Sequence, residues 1–556
     1  MLARGPLYDW GLDSTVLLIF AAAASLAALR LLRTLFGDRP AILAPLVSYL
    51  VLPLTVPDLG WWWTGMESLP LQLAIFMTLN AHVLYVRTGR WRHLGAAVGW
   101  LTFGLLFFEK TVVLPLLLLA VSSAFCVDAR SWLGGVLFTL RQLWRAWLSY
   151  AVVLIVYALA AIAAFRASRS ISHLATSMSA VRTFASYFVA HNLLPGLFGG
   201  PWHWLAAGPG SRYAIALPSM LMVTVCEVAA VVLLAVNLWI RPIAWRAWTI
   251  FAIWVVLADM ATAIVGRLGF GLVIFFGLET RYLADAAPVL AVCLGLALLP
   301  VAGAGERAAT AQGVRRRLPI GIAPRFASIA VVAAFVISAI WSDQRYQNVT
   351  NGAPAVAAYM ANAGRALTHA APGTFIVDQA MPTNAILPTF GALADQSQII
   401  GPLATAKRAR RLHWIRQAAG TIDNLKMFGA DGRLVPALIS GAYSIRRPGR
   451  GLKSCWPYRH RRIVVKFARP TSPFAQTLHI GYIWGGGAPG FLAVQYGDSA
   501  QRLYLTPGVH SAYLPLPGSQ APASIAPGSV REFAIDGARG RYLCVGVAAA
   551  GKLVPF

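Results

Sequence analysis

Five charged residues in or beside apolar stretches are the first candidates for chemistry. Glu109 and Lys110 follow two phenylalanines at a corner between apolar runs, Glu227 and Asp259 lie within such runs, and Arg281 precedes a tyrosine. A charge inside a bilayer costs roughly 2.5–3.5 kcal/mol on insertion scales, so each such residue is a functional hypothesis. A guanidinium at the headgroup level suits a phosphate, which it can bind through two hydrogen bonds. Packing within a helix bundle is the alternative explanation for Glu227 and Asp259.

Aromatic residues accompany these charges in the segments between apolar runs. Three groups stand out: Trp61–Trp63 with Glu67, Trp202–His203–Trp204, and Arg281–Tyr282. Such groups can line the mouth of a polar cavity, but tryptophan at the headgroup level is also the usual interfacial anchor of membrane proteins. Both interpretations place the three groups at a membrane surface.

The composition assigns the chain to a lipid environment. Of 556 residues, 58% are hydrophobic and 12% are charged, with a mean hydropathy of +0.63, whereas a soluble protein is about half apolar and a quarter charged. The formal net charge is +27, but the arginines fall mostly between apolar stretches rather than in one basic domain, so nucleic acid is not an expected partner. The sequence contains no motif for nucleotide phosphates, dinucleotides, zinc or a serine nucleophile, and it identifies no cofactor. Whether the protein uses a divalent cation is not decided by the sequence.

Ten apolar stretches are predicted to cross the membrane as helices. They cover residues 14–35, 41–57, 69–86, 94–108, 111–127, 146–165, 215–240, 247–266, 284–303 and 325–341. Several are shorter than the roughly 20 residues that a full crossing needs, so flanking residues must complete them.

The arginine distribution predicts the orientation of these helices, because short cytoplasmic loops have an excess of Lys and Arg. The basic connections are the first, third, fifth, seventh and ninth, with Arg30, Arg33 and Arg39; Arg87, Arg90 and Arg92; Arg130, Arg141 and Arg145; Arg241 and Arg246; and Arg307, Arg315, Arg316, Arg317 and Arg325. The four connections between them are predicted to lie outside. Both termini and everything after Trp341 are then outside, in a multi-pass protein of the cell membrane.

Three regions follow from this pattern: a helical bundle at 1–343, a mixed α/β exported segment at 344–452 and an exported β-sandwich-like or jelly-roll-like domain at 453–556. Short β-prone runs separated by Gly, Pro, Asp and Ser characterise the last region. Cys455 precedes its first strand and Cys544 lies in its last strand. If these strands pair in one sheet, a disulfide can form in an oxidising exterior, and two unpaired buried cysteines are the alternative.

Three aromatic residues of the last region, Tyr482, Trp484 and Tyr496, are of the kind that stacks on sugars. They are therefore candidates for a carbohydrate-binding surface. The alternative is that they fill the core of the sandwich, as aromatic side chains commonly do.

Residues 14–341 resemble the GT-C superfamily of membrane glycosyltransferases, which includes the protein O-mannosyltransferases. The run WWWTGMESLPLQLAIFMTLNAHVLYVRTGRWRHLGAAVGWLTFGLLFFEKTVVLPLLLL at 61–119 is similar to the family's outer loop, helix, basic inner loop and helix, followed by an acid and a lysine at an outer corner. The run ETRYLADAAPVLAV at 279–292 is similar to the Arg-Tyr and Pro pattern that opens a late helix. The resemblance implies inverting transfer of a sugar from a polyprenyl phosphate to a glycan or protein acceptor.

The chain departs from this family at its beginning. Asp9 and Asp13 match only the end of the long first outer loop that bears the family's catalytic acid. We therefore expect the coding frame upstream of Met1 to specify a further apolar span and a loop with the missing aspartate. A shortened, noncatalytic relative is the alternative.

The resemblance also implies roles for individual residues. Lys110 and Arg281 would contact the phosphate, and Glu109 would orient Lys110. His203 would lie on the acceptor side, and Glu109 and His203 are the candidate bases within this sequence.

Two hypotheses of another class remain. The first is a transporter or flippase that uses Glu227 and Asp259 as a relay, although no inverted repeat of broken helices is recognisable. The second is a noncatalytic scaffold of the cell envelope.

Overall fold

The computed structural model describes most of the chain in two compact units, Met1–Gly352 and Ala353–Phe556. The described residues are 10–128, 131–168, 177–206, 213–303, 313, 324–350, 353–383, 385–386, 388–404, 411–445, 454–459, 462–472, 475–486, 488–497, 499–516, 530, 532–536 and 543–556. Asp9, Arg130, Arg307 and Arg315–Arg317, which entered the sequence predictions, lie outside them.

The first unit is helical. Its α-helices are α1 (Trp10–Phe36), α2 (Leu43–Leu50), α3 (Val56–Gly60), α4 (Trp62–Thr88), α5 (Trp91–Phe107), α6 (Leu114–Val121), α7 (Trp132–Gln142), α8 (Trp144–Ser168), α9 (Met178–Ser186), α10 (Leu194–Leu197), α11 (Met220–Ile240), α12 (Ala244–Trp254), α13 (Ala261–Arg267), α14 (Val273–Gly277), α15 (Ala286–Leu298) and α16 (Pro324–Thr350). Short 3-10 helices cover Pro40–Ile42, Pro53–Thr55, Glu109–Val113, Leu268–Phe270 and Thr280–Leu283, and π-helical turns cover Ser122–Cys126, Tyr187–Leu193 and Val255–Met260. Strands β1 (Trp204–Ala206) and β2 (Ala214–Ala216) form an antiparallel pair.

Within the described residues, six helices are long and apolar enough to cross a membrane. They are Gly11–Phe36, Trp62–Thr88, Glu109–Cys126, Trp144–Ala164, Met220–Ile240 and Ala244–Arg267, and the bent pair Pro40–Leu50 and Pro53–Gly60 gives a seventh if it counts as one span. The prediction of ten spans is therefore wrong by this count.

Helix length explains most of the difference. The predicted span at 284–303 forms the 13-residue helix α15, which at 1.5 Å per residue is about 20 Å long and shorter than the roughly 30 Å hydrocarbon layer. The span at 94–108 forms the 17-residue helix α5. The span at 41–57 is bent by 42°, where Pro53 begins a new turn because proline cannot continue the preceding hydrogen-bond pattern.

The bundle core is formed by α4, which is buried along most of its length between α1, α5 and α15. Helix α4 ends where Gly89 adopts a left-handed backbone conformation, with φ of 66°, a conformation that glycine tolerates best. The helices α8 and α11 are instead exposed along most of their length. An apolar helix with an exposed apolar surface is the arrangement expected of a lipid-facing span.

Arginine side chains link the ends of these helices. Arg87 donates to the carbonyl oxygens of Thr34 and Ala302, both at 2.6 Å, and Arg246 donates to the carbonyl of Ala124 at 2.9 Å. The first, third and ninth connections therefore meet, and so do the fifth and seventh.

The second unit contains a helical segment and two sheets. Its helices are α17 (Ala353–His369) and α18 (Gln396–Ile399), with 3-10 helices at Pro388–Ala394 and Gly401–Leu403. Its strands are β3 (Phe375–Val377), β4 (His413–Ile415), β5 (Gly420–Thr421), β6 (Leu425–Phe428), β7 (Leu434–Tyr443), β8 (Tyr458–Arg459), β9 (Arg462–Lys466), β10 (Thr477–Trp484), β11 (Gly490–Tyr496), β12 (Ser499–Leu505), β13 (Gly508–Pro515), β14 (Glu532–Asp536) and β15 (Leu543–Pro555).

An eight-stranded sheet in the order β4-β3-β6-β7-β15-β10-β13-β5 and a five-stranded sheet in the order β12-β11-β14-β9-β8 make up this unit. Strand β3 is parallel to β4 and β6, and the remaining pairs are antiparallel. Apolar residues of both sheets form one core, so this part is a sandwich. Because β7 pairs with β15, segments 344–452 and 453–556 share a sheet.

A disulfide joins Cys455 and Cys544. The expected reason for their proximity was wrong, because their strands are not neighbours in one sheet. Cys455 precedes β8 at the edge of the five-stranded sheet, whereas Cys544 lies on β15 in the eight-stranded sheet. The disulfide therefore links the two layers, and the Trp456 backbone N–H donates to the Val545 carbonyl beside it.

Candidate functional site

Lys110 lies in the interior of the bundle, on the 3-10 helix Glu109–Val113 between α5 and α6. Its Nζ donates to Asp259 Oδ1 at 2.9 Å, to Asp285 Oδ1 at 2.6 Å and to the Tyr282 carbonyl at 2.9 Å. The three charged side chains are at most 2% exposed. An ammonium group has three donors, so all of its hydrogen-bonding capacity is directed at these acceptors.

These contacts change two predicted roles. Lys110 directs its three donors at Asp259, Asp285 and the Tyr282 carbonyl, so no donor is left for a phosphate in this conformation. Glu109 does not orient it, because the Glu109 side chain is exposed and the partners of Lys110 are Asp259 and Asp285.

A third buried carboxylate, Asp58, lies within electrostatic reach of Asp285 and Lys110. Gln72 Nε2 donates to Asp58 Oδ2 at 3.1 Å and to the Ala284 carbonyl at 3.3 Å. We refer to Asp58, Lys110, Asp259 and Asp285 as the interior cluster. It contains three carboxyl groups and one ammonium, and each aspartate keeps one oxygen without a hydrogen-bond partner among the described residues.

A second group surrounds Arg281, on the 3-10 helix Thr280–Leu283. The guanidinium lies 4.7 Å from the Trp61 ring, 5.0 Å from the Tyr282 ring and 5.8 Å from the Tyr213 ring. Its Nη2 forms a 3.0 Å ion pair with Glu279, which is almost fully buried, while the Arg281 side chain is 19% exposed. We refer to these five residues as the arginine–aromatic cluster.

The electrostatics of this cluster follow from burial and from the ion pair. Burial acts to lower the pKa of Arg281, but the Glu279 carboxylate together with Tyr213 and Tyr282 outweighs it, so the pKa is raised. Burial followed by the same carboxylate raises the pKa of Tyr282 to about 12 and raises that of Tyr213 further. All three groups therefore keep their protons, and Arg281 is a permanent cation.

Two further carboxylates and a second arginine lie near this cluster. Glu67 is within electrostatic reach of Glu109, Arg281 and Arg267, and its side chain is hydrogen-bonded to Trp63. Glu109 and Arg267 are exposed and Glu67 is half-buried. Residues of the predicted fourth and eighth connections thus lie within electrostatic reach of Glu67 in the second connection, and Glu109 and Arg267 among them are exposed.

The segment Glu279–Asp285 connects the two clusters. Glu279 and Arg281 belong to one, Asp285 to the other, and the Tyr282 carbonyl accepts the hydrogen bond from Lys110 while its ring packs beside Arg281. The interior cluster therefore fixes the backbone on which Arg281 stands.

Two predicted residues lie elsewhere. His203 is exposed next to Trp202 and Trp204, which pack against α16: Trp202 Nε1 donates to Ser338 Oγ at 2.7 Å and Trp204 Nε1 to the Ser342 carbonyl at 3.0 Å. Glu227 lies on the exposed face of α11, whereas Asp259 is buried and pairs with Lys110. The relay from Glu227 to Asp259 stays a prediction.

Two of the three aromatic residues predicted to stack on sugars are not on the surface of the sandwich. Tyr482 and Tyr496 are buried in the sandwich core, where their hydroxyls bond Thr421 and Thr471. Trp484 is half-buried and its indole donates to the Ala488 carbonyl. Tyr482 and Tyr496 therefore fill the core of the sandwich, which was the alternative to a sugar-binding role.

In the part of the chain that the structure describes, no group of three or more His, Cys, Asp or Glu side chains has an arrangement suited to a metal ion. A match to a known family is also missing: no protein-family model matches the chain, and no curated protein matches it.

The sequence interpretation missed several residues of the two clusters: Asp58, Arg267, Glu279, Asp285 and Tyr213. Asp285 had a usable signal, since it is a lone carboxylate at the start of an apolar helix and four residues after Arg281. Asp58 ends an apolar stretch and had the same kind of signal.

Proposed function

We propose that this protein is an integral membrane glycosyltransferase that uses a polyprenyl-phosphate-linked sugar at the outer face of the membrane. The main support is the arginine–aromatic cluster, in which a partly exposed guanidinium is surrounded by three aromatic rings within a helical membrane unit. A guanidinium suits a phosphate, and aromatic faces suit a sugar or an isoprenoid chain.

In the proposed reaction the acceptor hydroxyl attacks the anomeric carbon from the side opposite the phosphate. A bond forms between the acceptor oxygen and that carbon, the bond from the carbon to the phosphate oxygen breaks, and the configuration inverts. Arg281 and Arg267 stabilise the charge that develops on the leaving lipid phosphate. Glu109 or Glu67 takes the proton of the acceptor hydroxyl.

The interior cluster has a positioning role in this proposal. Lys110 holds the Tyr282 carbonyl, and a displacement of that backbone would move the Arg281 guanidinium away from its aromatic neighbours. Charges at about 0–2% exposure cannot contact a substrate without rearrangement, so we assign them no direct contact.

The experiment is donor binding and transfer with the full chain in lipid nanodiscs. A radiolabelled polyprenyl-phosphate hexose is the probe, and Arg281→Ala is the test variant. Arg345→Ala is the matched control, because Arg345 is an exposed arginine on α16 whose guanidinium likewise lies over an aromatic ring, that of Trp341, at 5.7 Å. We expect Arg281→Ala to weaken binding about tenfold or more, as charge-assisted hydrogen bonds of roughly 1.5–3 kcal/mol imply, and Arg345→Ala to bind normally.

Arg281→Lys separates charge from geometry, because lysine keeps the cation but not the planar fork. Intermediate binding by this variant supports the proposal. Donor binding that is equal in Arg281→Ala and the wild type removes Arg281 from the site, and no donor binding by the wild type favours a scaffold.

A transporter or flippase is the second candidate, favoured by the buried ion cluster, since intramembrane Asp and Lys residues often form proton relays. Proton-coupled flux in proteoliposomes that is lost in Asp259→Asn would support it. Unchanged flux in that variant would exclude the relay.

A further inference from the structure

A polar cavity of about 340 Å³ lies within the second unit. It is in the size range of small-molecule binding sites. Its polar lining residues include Asp378, Gln379, Arg416, Gln417, Gln476 and Lys552.

The topology explains why a cavity forms there. Strands β3 and β4 run in parallel, with Val377 opposite Ile415. Asp378 and Gln379 follow the first strand, and Arg416 follows the second, so they leave the same edge of the sheet. Ligands of sheets with parallel strands bind outside the carboxyl ends of those strands.

The hydrogen bonds of the lining residues show which groups are committed. Both oxygens of Asp378 accept from Ser397, at 2.8 Å from its backbone N–H and 2.6 Å from its hydroxyl. Arg416 uses Nη2 for a 2.8 Å ion pair with Asp395. The hydrogen-bonding capacity of Asp378 towards Ser397 is therefore used, and Asp395 pairs with the Arg416 guanidinium.

Two donors are uncommitted. The buried Nε2 of Gln379 has no hydrogen-bond partner among the described residues, and a buried donor without a partner is costly. Lys552 forms no ion pair within the described chain and is exposed on β15. The cavity therefore offers an unmatched amide donor and an unmatched positive charge.

We propose that this cavity binds an acidic saccharide, with the carboxylate of the sugar at Lys552 and Arg416 and its hydroxyls at Gln379 and Gln476. Amide side chains both donate to and accept from hydroxyl groups, and a cation gives the charge-assisted bond that selects a carboxylate. The site is independent of the proposed transferase activity, since none of its residues belongs to the helical unit.

The test uses the full chain in nanodiscs, with glucuronate and its uncharged counterpart glucose as probes in titration calorimetry. Lys552→Gln and Gln379→Leu are the test variants. Lys466→Gln is the matched control, because Lys466 is an exposed strand lysine on β9 of the other sheet. We expect wild-type binding of glucuronate at least tenfold tighter than of glucose, and a loss of about tenfold in Lys552→Gln, from the loss of one charge-assisted hydrogen bond.

Gln379→Leu is expected to weaken both sugars, because it removes a hydroxyl partner rather than a charge. Equal affinity for glucose and glucuronate, or an unchanged affinity in Lys552→Gln, would overturn the proposal, as would binding of inorganic phosphate but not of glucuronate. Arg281→Ala should leave glucuronate binding intact, so the outcome is distinguishable from that of the donor-binding experiment.

Discussion

Replacement of Lys110 by methionine tests the interior cluster directly. Methionine has a similar length and fills the same space without charge, so the change removes the ammonium and little of the packing. In the structure this ammonium is the shared partner of Asp259 and Asp285, both of them buried. The variant therefore leaves two buried carboxylates without a cation.

The magnitude follows from the distances. At 2.6 and 2.9 Å and an effective dielectric constant of about 20, each contact contributes about 6 kcal/mol of Coulomb attraction. Desolvation of the three ions costs several kcal/mol each, so the intact cluster is close to neutral in net stability. Removal of the lysine eliminates both attractions but not the desolvation of the carboxylates. We expect a loss of about 3–5 kcal/mol in the free energy of unfolding, a factor of roughly 200 to 5,000 in the folding equilibrium.

Equilibrium unfolding in mixed detergent and SDS micelles measures this loss. The control is the triple variant Lys110→Met, Asp259→Asn, Asp285→Asn, which removes all three charges together. Because a buried ion cluster can often be replaced by neutral residues at little cost, we expect it to recover most of the lost stability. A single variant within about 1 kcal/mol of the wild type, or a triple variant no more stable than the single one, would refute this account of the cluster.

Three further predictions concern other parts of the molecule. Burial raises the pKa of Asp343 from 3.8 to about 7, so the native carboxyl keeps a proton that the unfolded chain releases, and wild-type stability should fall as pH rises from about 4 to 7. Asp343→Asn should remove this dependence on pH and raise the melting temperature most at pH 8. Parallel curves of melting temperature against pH for the wild type and the variant would contradict this prediction. The double variant Cys455→Ser, Cys544→Ser removes a disulfide that spans 89 residues and should lower the unfolding free energy of the second unit by up to about 4–5 kcal/mol. Denaturant titration with and without reductant measures this loss. An effect of reductant that persists in the double variant would contradict the assignment of the loss to this disulfide. Gly65→Ala would place a methyl group against the Asp58 carbonyl and the Leu17 side chain and should lower the free energy of unfolding by about 1–3 kcal/mol. Gly99 has open space around it, so Gly99→Ala should not be destabilising. Equal shifts in melting temperature for the two variants would contradict the close approach of α3 and α4.

The structure brings together several connections that the sequence analysis assigned to the same side, although the predicted number of spans was wrong. Arg87 joins the first, third and ninth connections through Thr34 and Ala302. At the other end, Trp61, Glu109 and Arg281 of the second, fourth and eighth connections gather around two clusters. Alternation of basic loops depends only on the order of crossings along the chain, so the predicted orientation of the loops stays a prediction, whereas the predicted number of spans is wrong.

The pairing of charges could not be predicted in the same way. Lys110 and Glu109 are neighbours in sequence, but the 3-10 helix that holds them directs one side chain inward and leaves the other exposed. The partners of Lys110 are 149 and 175 residues away. Sequence periodicity identifies buried faces within one helix, but it contains no information on which helices pack against each other.

The interior cluster lies directly behind the segment that carries Arg281, so the geometry of the first constrains the position of the second. A buried charge is costly unless it is paired, so the interior cluster is stable in only a narrow range of geometries. Lys110 must keep Asp259, Asp285 and the Tyr282 carbonyl within hydrogen-bond distance at once, and this requirement fixes the segment on which Arg281 stands. Arg281 itself can then remain partly exposed among Trp61, Tyr213 and Tyr282. A rigid ion cluster behind an accessible cation is the arrangement expected where an anionic headgroup must be held in one orientation, and loss of Lys110 should therefore weaken donor binding even where the protein remains folded.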